Sequence, residues 1–534
     1  MDASLEVPVE RTGKGKGLKG GAIGLVSATV IGVASTAPAY SLAATVGLVA
    51  AIVGLMSPAI MLVAFVPMLF TAAAYYYLNR VDPDCGATFS WVTRAMGPHA
   101  GWFGGWGVVV ADIVVMPSLA WVAAWYTYSL FGLDHGRYDL AGNTWALLAL
   151  GAVFILAMTL ICWLGIELSA RTQFVLLATE ILILMGFSLW ALAKVYMNHP
   201  VGSVTPSWDW INPFKLTATQ LSQGVLVALF IYWGWDTAAN VNEETRHGRT
   251  AAGLATVFST LVLLGTYIIA AYATTAYKGP GFLKKNPDDV LTGMASGWGS
   301  KLLMLAVLSS AMASTQTTIL PTARTTLSMA AHGALPKALA KIHPKYLTPT
   351  WSTWWFGIAS IVWWVVLIAI DRTENILWDS ITGLGFAIAF YYGITALAAP
   401  VLFRKQLFKS FKNFLLVGVV PLIGAVTLGW VFVKSAIDLF YWSPDTAYTP
   451  AWFKFGGFRG LGAPFVIGVG MLIIGIPLMF WWKRVNPAFF RNEAEVAESM
   501  DEELPDEFRV TEEATQFREF PKPVMPKPRT PAGN

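Results

Sequence analysis

The sequence predicts an all-α membrane protein with twelve transmembrane helices. Of its 534 residues, 55% are hydrophobic and only 13% are charged, whereas a soluble protein carries about 25% charged residues. The mean hydropathy is +0.56. Apolar runs of about 20 residues or more recur along nearly the whole chain, and this length crosses the hydrocarbon core of a bilayer.

The apolar runs divide the chain into a short polar start, a transmembrane domain over about 20–484, and a charged tail over 485–534. Residues 1–19 are rich in Gly and Lys and are predicted to be mobile. The tail is charged and Pro-rich, and it is predicted to be disordered because it cannot bury enough apolar surface. The twelve spans are predicted at about 22–48, 55–79, 100–131, 143–165, 170–197, 216–242, 250–277, 299–331, 351–370, 375–403, 413–440 and 462–482.

An even number of spans places both ends of the chain on one side of the membrane. Lys and Arg are more numerous in the loops on that side, so the positive-inside rule predicts that both ends are cytoplasmic in a multi-pass plasma-membrane protein. The first run is too long for the core of a signal peptide and is expected to be retained. Two cysteines, Cys85 and Cys162, are too few for a disulfide framework or a metal cluster. The sequence does not indicate nucleic acid as a partner.

Two spans carry features that interrupt a helix. The stretch Phe230–Asp236 places Gly234 and a carboxylate deep in an apolar run, which is tolerated if the helix breaks and its backbone lines a polar cavity. The first span contains Pro38 at mid-depth, where the missing N–H disrupts the helix. The alternative for the sixth span is a packed helix whose Asp236 end reaches toward the cytoplasmic interface.

The two interruptions occupy corresponding places if the chain contains two halves of five spans each. These halves are about 20–197 and about 216–405, and two further helices follow over about 413–484. Because five is odd, the second half would be inverted in the membrane relative to the first. Paired interruptions in corresponding spans are a sequence pointer to the binding site of a transporter.

Broken helices expose backbone groups that bind charged ligands. Free N–H groups attract a carboxylate, and free carbonyl groups attract an ammonium group or another cation. We expect the first break to hold an anionic group and the second to hold an amino group, with Trp235 and Tyr232 either covering the substrate or only packing. A hydroxyl at the first break would alternatively bond back to its own helix. The candidate substrate-binding residues are Val33, Ala34, Ser35, Thr36, Ile231, Tyr232, Trp233, Gly234 and Trp235.

Acidic and hydroxyl side chains inside the spans are candidates for coupling or gating. Glu180 lies well inside the fifth span, where a carboxylate pairs, takes up a proton or meets water; a neutral, hydrogen-bonded Glu is the alternative. Asp112 lies in the third span, and Asp236 would bind an ion or anchor the broken helix. Ser310 and Ser314 would line a cation or proton site, or join helices as polar contacts.

Several function classes find no support in the sequence. It contains no P-loop, no metal-ligand spacing and no nucleophile elbow. We therefore expect neither an enzyme nor ATP-driven transport, and no cofactor.

These residues resemble the amino acid–polyamine–organocation (APC) superfamily of secondary transporters over about 20–405. The segment Ile231–Asp236, followed by Glu243 and Glu244, is similar to the superfamily's sixth-span aromatic-x-Gly-Phe-Asp pattern and the paired Glu that follow it. The segment from Pro83 to Trp102 resembles the connection between spans two and three. The segment from Arg324 to Pro349 resembles the region after span eight.

The resemblance implies a permease that moves amino acids, amines or related organic cations, with a five-plus-five inverted repeat and two additional helices. The superfamily's first-span Gly-x-Gly motif corresponds to Gly32, Val33 and Ala34, so its second glycine is an alanine here. Pro38 and the small residues around it depart from the superfamily's usual Ile-Phe. Both departures affect the expected contact with a substrate carboxylate and the expected size of the substrate. Glu180 stands where many members have a Lys that replaces a sodium ion. Asp112 lies one position from an acid that is common in the family.

The sequence therefore predicts a permease that imports an amino acid or an amine by alternating access, coupled to a proton or a monovalent cation and surrounded by membrane lipid. The alternatives are an uncoupled exchanger and a nutrient sensor with a transporter fold.

Overall fold

The computed structural model describes residues 16–134, 139–285, 290–444, 447–454 and 459–491. Most of the predicted N-terminal segment (residues 1–15) and of the predicted tail (residues 492–534) lies outside these ranges. In the described ranges the secondary structure is helical, with only isolated β-bridges. The helices are α1 (Leu25–Ser35), α2 (Pro38–Val53), α3 (Ser57–Val81), α4 (Thr88–Met96), α5 (Pro98–Leu130), α6 (Thr144–Leu164), α7 (Ile166–Asn198), α8 (Ala218–Leu229), α9 (Thr237–Asn240), α10 (Gly248–Lys285), α11 (Trp298–Ala331), α12 (Thr350–Ile370), α13 (Asn375–Leu402), α14 (Phe411–Asn413), α15 (Val420–Phe440), α16 (Ala463–Val485) and α17 (Pro487–Arg491).

Ten stretches of the described chain are helical, long and apolar enough to cross a membrane. The first of these, Leu25–Val81, is 57 residues long and contains α1, α2 and α3. The interrupted segment from α8 to α9 is not among the ten. The all-helical membrane fold is thus confirmed, and most predicted spans agree with helix bounds to within a few residues.

Two segments differ from the sequence prediction. The connection between the second and third spans contains α4, where the sequence predicts no span. The seventh span continues to Lys285 instead of ending near 277. It kinks at Gly279, whose φ of 72° and following Pro280 interrupt regular helical geometry.

The central helices approach closely through glycines of α5. A Cβ added at Gly107 would lie 3.0 Å from the Cβ of Tyr391 in α13, and one at Gly105 would lie 2.7 Å from the Sδ of Met329 in α11. Small residues permit such close helix contacts in membranes. Gly105 and Gly107 therefore allow α5 to pack closely against α11 and α13.

Candidate functional site

The first break separates α1 from α2 at Thr36 and Ala37. Ala37 adopts a left-handed conformation with φ 47° and ψ 64°, and Pro38 is the first residue of α2. Proline suits this position because its N–H would have no helical partner there. The predicted interruption at Pro38 is thus present, and the chain changes direction just before it.

The polarity of this break differs from the expectation for an anionic group. Val33, Ala34 and Ser35 form the last turn of α1, so they present carbonyl groups and not free N–H groups toward the break. The carbonyl of Val33 accepts from the N–H and the hydroxyl of Thr36. The electropositive helix end at this break belongs to α2, beyond Pro38.

Two serines of α11 hold the two sides of the first break. The Ser314 hydroxyl donates to the Ser35 carbonyl at 2.9 Å. The Ser310 hydroxyl accepts from the Tyr40 N–H, near the start of α2, at 3.2 Å. Because the serines are four residues apart, they lie on one face of α11. The structure thus brings both predicted hydroxyls to the break, where they bind its backbone.

The second break lies between α8 and α9. A 3-10 turn over Phe230–Tyr232 follows α8, Trp233 is extended, and Gly234 has φ 113°. A Cβ at Gly234 would lie 2.8 Å from the Ser35 carbonyl oxygen. The positive φ and the close approach both require glycine. Gly234 is thus the point where the backbones of the two breaks meet.

Further contacts join the breaks to one another and to α10. The hydroxyls of Ser35 and Thr237 are 2.9 Å apart across the breaks. The Tyr267 hydroxyl donates to the Ile231 carbonyl at 2.5 Å and lies 3.4 Å from the Thr36 hydroxyl. The carbonyl end of the 3-10 turn thus accepts a hydrogen bond from a tyrosine hydroxyl of α10.

Asp236 anchors the second break to α13. Its carboxylate accepts from the Tyr392 hydroxyl at 2.7 Å and from the Tyr391 hydroxyl at 3.2 Å. The Tyr392 hydroxyl also accepts from the Gly234 N–H at 3.1 Å, and the Trp233 indole donates to Tyr391 at 2.5 Å. Asp236 was expected to anchor the helix through N–H groups or to bind an ion, and the structure shows two tyrosine hydroxyls as its partners.

Trp235 and Tyr232 are both fully buried among other aromatic rings. Trp235 stacks on Tyr392 with ring centroids 5.0 Å apart and meets Tyr75 edge-on at 5.0 Å. Tyr232 contacts Tyr267 at 5.0 Å and donates its hydroxyl to the Met61 carbonyl. In this conformation both side chains pack, which was one of the two readings of the sequence.

Glu180 of α7 lies beside the first break. Its carboxyl group is fully buried, and neither oxygen has a hydrogen-bond partner of normal geometry among the described residues. The Glu180 carboxyl interacts electrostatically with Ser310 and Tyr267. Both of these residues also contact the first break. A buried carboxyl without a partner is costly unless it is protonated or binds a cation.

Asp112 lies on the other side of the site, where α5 faces α11. It accepts a hydrogen bond from the Thr322 hydroxyl and is 3% exposed. Asp112 also interacts electrostatically with Asp236. The structure therefore groups Asp112 with Asp236, and it places Glu180 with Ser310.

Every predicted substrate-binding residue is buried. Toward the side of the chain's ends, the site is covered by ion pairs that the sequence analysis missed. The Lys16 Nζ lies 2.6 Å from Asp84 and 2.5 Å from Glu243, and we call these three residues the lysine clamp. A further backbone contact joins Ile23 to Glu244.

The charges of the lysine clamp stabilise one another. Burial alone would raise the pKa of the Asp84 carboxyl, but the Lys16 ammonium outweighs it and holds this pKa below its usual range. Burial would lower the pKa of Lys16, but the acidic groups of Cys85, Asp84 and Glu243 raise it above its usual value. Lys16 and Asp84 are thus both charged at neutral pH.

A second ion pair lies deeper. Arg324 of α11 donates two hydrogen bonds to the Glu244 carboxylate, at 2.5 and 2.9 Å. Both side chains are no more than 1% exposed. Arg324 thus pairs with Glu244, whereas Glu243 belongs to the lysine clamp.

The chain is similar to known membrane transporters. The model of the amino acid permease family matches residues 23–444. The branched-chain amino acid permease BcaP of Bacillus subtilis is 24% identical over 365 residues, covering 66% of this chain and 74% of that protein. The low-affinity putrescine importer PlaP of Escherichia coli K12 is 22% identical over 419 residues, covering 77% and 87%. The methylthioribose transporter of Bacillus subtilis is 24% identical, covering 67% and 75%.

A solved structure shares the fold. The crystal structure of MhsT in complex with L-phenylalanine superimposes with a TM-score of 0.51 at 13% sequence identity, covering 76% of this chain and 98% of that one. The family match extends over most of the 534 residues. The chain therefore belongs to the amino acid permease family of the APC superfamily and is a membrane transporter, not an enzyme.

Proposed function

We propose that this transporter imports an amino acid or an amine across the plasma membrane by alternating access, coupled to a proton or a monovalent cation. The observation that carries the proposal is the meeting of two helix breaks in the buried centre, where Gly234 lies against Ser35. Half-helix ends at mid-membrane bind charged substrate groups and ions in secondary transporters.

The proposal includes twelve spans with a five-plus-five inverted repeat. The stretch Leu25–Val81 has 57 residues. At about 1.5 Å per residue it would be about 85 Å long, more than twice the thickness of a bilayer core, so it supplies two crossings. The interrupted segment from α8 to α9 supplies one more. With both ends cytoplasmic, the lysine clamp would close the cytoplasmic side of the site.

The two breaks would bind the charged ends of the substrate. We assign an ammonium group to the carbonyl ends of α1 and of the 3-10 turn at Phe230–Tyr232, because these helix ends are electronegative. A carboxylate, where the substrate has one, would meet the first break at Thr36 and the start of α2. The residues at or beside these ends are the nine predicted substrate-binding residues.

Coupling would depend on Glu180. Its buried, unpartnered carboxyl lies beside Ser310, which holds the start of α2. Uptake of a proton or a cation at Glu180 would therefore change the environment of the first break. Asp112, Asp236 and Ser314 would act as gating residues, because each forms a hydrogen bond to a different helix segment.

Uptake by purified protein in liposomes tests the function. We would supply amino acids and putrescine separately, with and without an imposed pH gradient and with Na⁺ or K⁺ outside. The expected result is uptake that a proton or cation gradient drives, and that Glu180→Gln strongly reduces. Asp438→Asn is the control, because Asp438 lies in an exposed pair with Lys434 on α15.

The other outcomes would redirect the assignment. Counterflow that needs substrate on both sides and ignores every ion gradient would indicate an uncoupled exchanger. Binding without flux would indicate a sensor. Full retention of gradient-driven uptake in Glu180→Gln would reject the role of Glu180.

A further inference from the structure

A cavity of about 930 Å³ opens between α7, α10 and the start of α11, away from the helix breaks. Its α7 wall consists of Leu182, Ile183, Gly186, Phe187 and Trp190. The cavity volume falls in the range of small-molecule sites, about 300–1,000 Å³. Because the chain spans a membrane, exposed side chains such as Leu182, which is 74% exposed, contact lipid and not water.

The cavity extends from the membrane interface toward the hydrocarbon core. Trp190 and Tyr277 contact each other with ring centroids 5.3 Å apart, and such aromatic rings concentrate at the level of lipid headgroups. Leu182 lies eight residues before Trp190 on the same helix, which is about 12 Å along the axis. The Leu182 end is apolar and would accept a hydrocarbon chain.

The interfacial end of the cavity carries a cation. Lys278 lines the cavity, and its Nζ lies 4.9 Å from the ring centroid of Phe282 and 5.6 Å from that of Tyr277. None of the carboxylates in the described ranges forms an ion pair with Lys278. A lysine at this level attracts anionic lipid headgroups, and the two rings hold the ammonium in place.

From the apolar wall and the single cation we propose that this cavity binds one anionic glycerophospholipid of the surrounding monolayer. One acyl chain lies along the Leu182–Trp190 face of α7, and the headgroup phosphate pairs with Lys278. The cavity is separate from the proposed transport site, so it assigns a structural or regulatory lipid to the transporter independently of the substrate.

The chain offers matched variants for the test. Nothing lies within 4 Å of a Cβ added at Gly186, so Gly186→Leu can place a side chain in the cavity that this residue lines. Gly265 of α10 is also exposed with free space around an added Cβ, but it does not line the cavity, so Gly265→Leu is the control. Lys278→Gln removes the charge, and Lys301→Gln removes another cation that contacts an aromatic ring, outside the cavity.

We would measure the melting temperature of the purified full-length protein in detergent while adding dioleoyl phosphatidylglycerol or dioleoyl phosphatidylcholine. A ligand that binds the native state raises this temperature by mass action. The wild type and both controls should respond to phosphatidylglycerol at lower concentrations than to phosphatidylcholine. Lys278→Gln should need about fivefold more of it, since one lysine contributes about 1 kcal/mol to anionic lipid binding. Gly186→Leu should lose the response to both lipids.

Three results would overturn the proposal. The first is an equal response of Gly186→Leu and Gly265→Leu. The second is an unchanged preference for phosphatidylglycerol in Lys278→Gln. The third is stabilisation by soluble glycerol phosphate as strong as that by the lipid, which would identify a solute site. For each variant, the shift caused by lipid is measured from that variant's own melting temperature without lipid. A variant that keeps the wild-type melting temperature without lipid but shows no shift has lost lipid binding and is not misfolded.

Discussion

The Tyr392 hydroxyl donates to the Asp236 carboxylate at 2.7 Å and accepts from the Gly234 N–H at 3.1 Å. One side chain of α13 thereby holds both the backbone and the acid of the second break. The helix interruption is fixed from outside its own segment, by a residue 156 positions further along the chain.

We predict that Tyr392→Phe destabilises the protein. The substitution leaves a buried carboxylate oxygen and a buried N–H without their partner, and each such loss costs about 1–3 kcal/mol. A lower melting temperature in detergent would show it. Tyr196→Phe is the matched control, because Tyr196 is 58% exposed on α7. Equal melting temperatures for the two variants would contradict the anchoring role.

Gly234→Ala should abolish uptake. The backbone there has φ 113°, which L-residues rarely adopt, and the added Cβ would lie 2.8 Å from the Ser35 carbonyl oxygen. The two breaks would have to separate, which removes the proposed binding site. Gly265→Ala adds the same methyl group in open space and should transport normally. Normal uptake by Gly234→Ala would show that the breaks need not touch.

The sequence predicted the spans and both breaks because these depend on local composition. The length of an apolar run predicts a span, and Pro38 and Gly234 indicate interruptions from the local sequence alone. The amphipathic α4 was missed because it is nine residues long and lies in a polar connection. Short helices are held by tertiary packing, which a local pattern does not reveal.

The parts of the site that the sequence did not predict depend on distant contacts. Tyr267, Tyr391 and Tyr392 sit in apolar helices as ordinary aromatic residues, and only the fold brings their hydroxyls to the breaks. The sequence also does not reveal that Val33–Ser35 form the carbonyl end of α1, because a break can be located from sequence without knowing which helix end faces it. Lys16 is one of several cations near the N-terminus, and only the fold brings it to Asp84 and Glu243.

The buried pair of Arg324 and Glu244 predicts strong non-additivity. Arg324→Met leaves a buried carboxylate unpaired, and removing one partner of such a pair costs about 3–5 kcal/mol. The double variant Arg324→Met with Glu244→Leu removes both charges and should recover most of that loss. Thermal unfolding of the two single variants and the double variant measures the coupling. Additive losses in the double variant would show that the pair contributes no mutual stabilisation.

The lysine clamp predicts how closure of the inner side depends on charge and pH. Lys16→Gln should favour opening and so expose Cys85, which is fully buried and whose N–H donates to Glu243. We expect maleimide to modify Cys85 about tenfold faster in Lys16→Gln than in the wild type. This factor corresponds to a loss of about 1.4 kcal/mol from the free energy that favours the closed state. Lys19→Gln is the control, since Lys19 forms an exposed pair with Glu167 that contributes little.

The pH dependence of this effect follows from the two shifted pKa values. The raised pKa of Lys16 means that its stabilisation is complete below about pH 10 and is lost as pH rises through the raised value. The lowered pKa of Asp84 means that its stabilisation is present above about pH 4 and is lost as pH falls through the lowered value. The ratio of labelling rates between Lys16→Gln and wild type should therefore stay constant from pH 6 to pH 8. A ratio that changes severalfold in that interval would show that another titrating group, such as Glu180, controls the closure instead of the clamp.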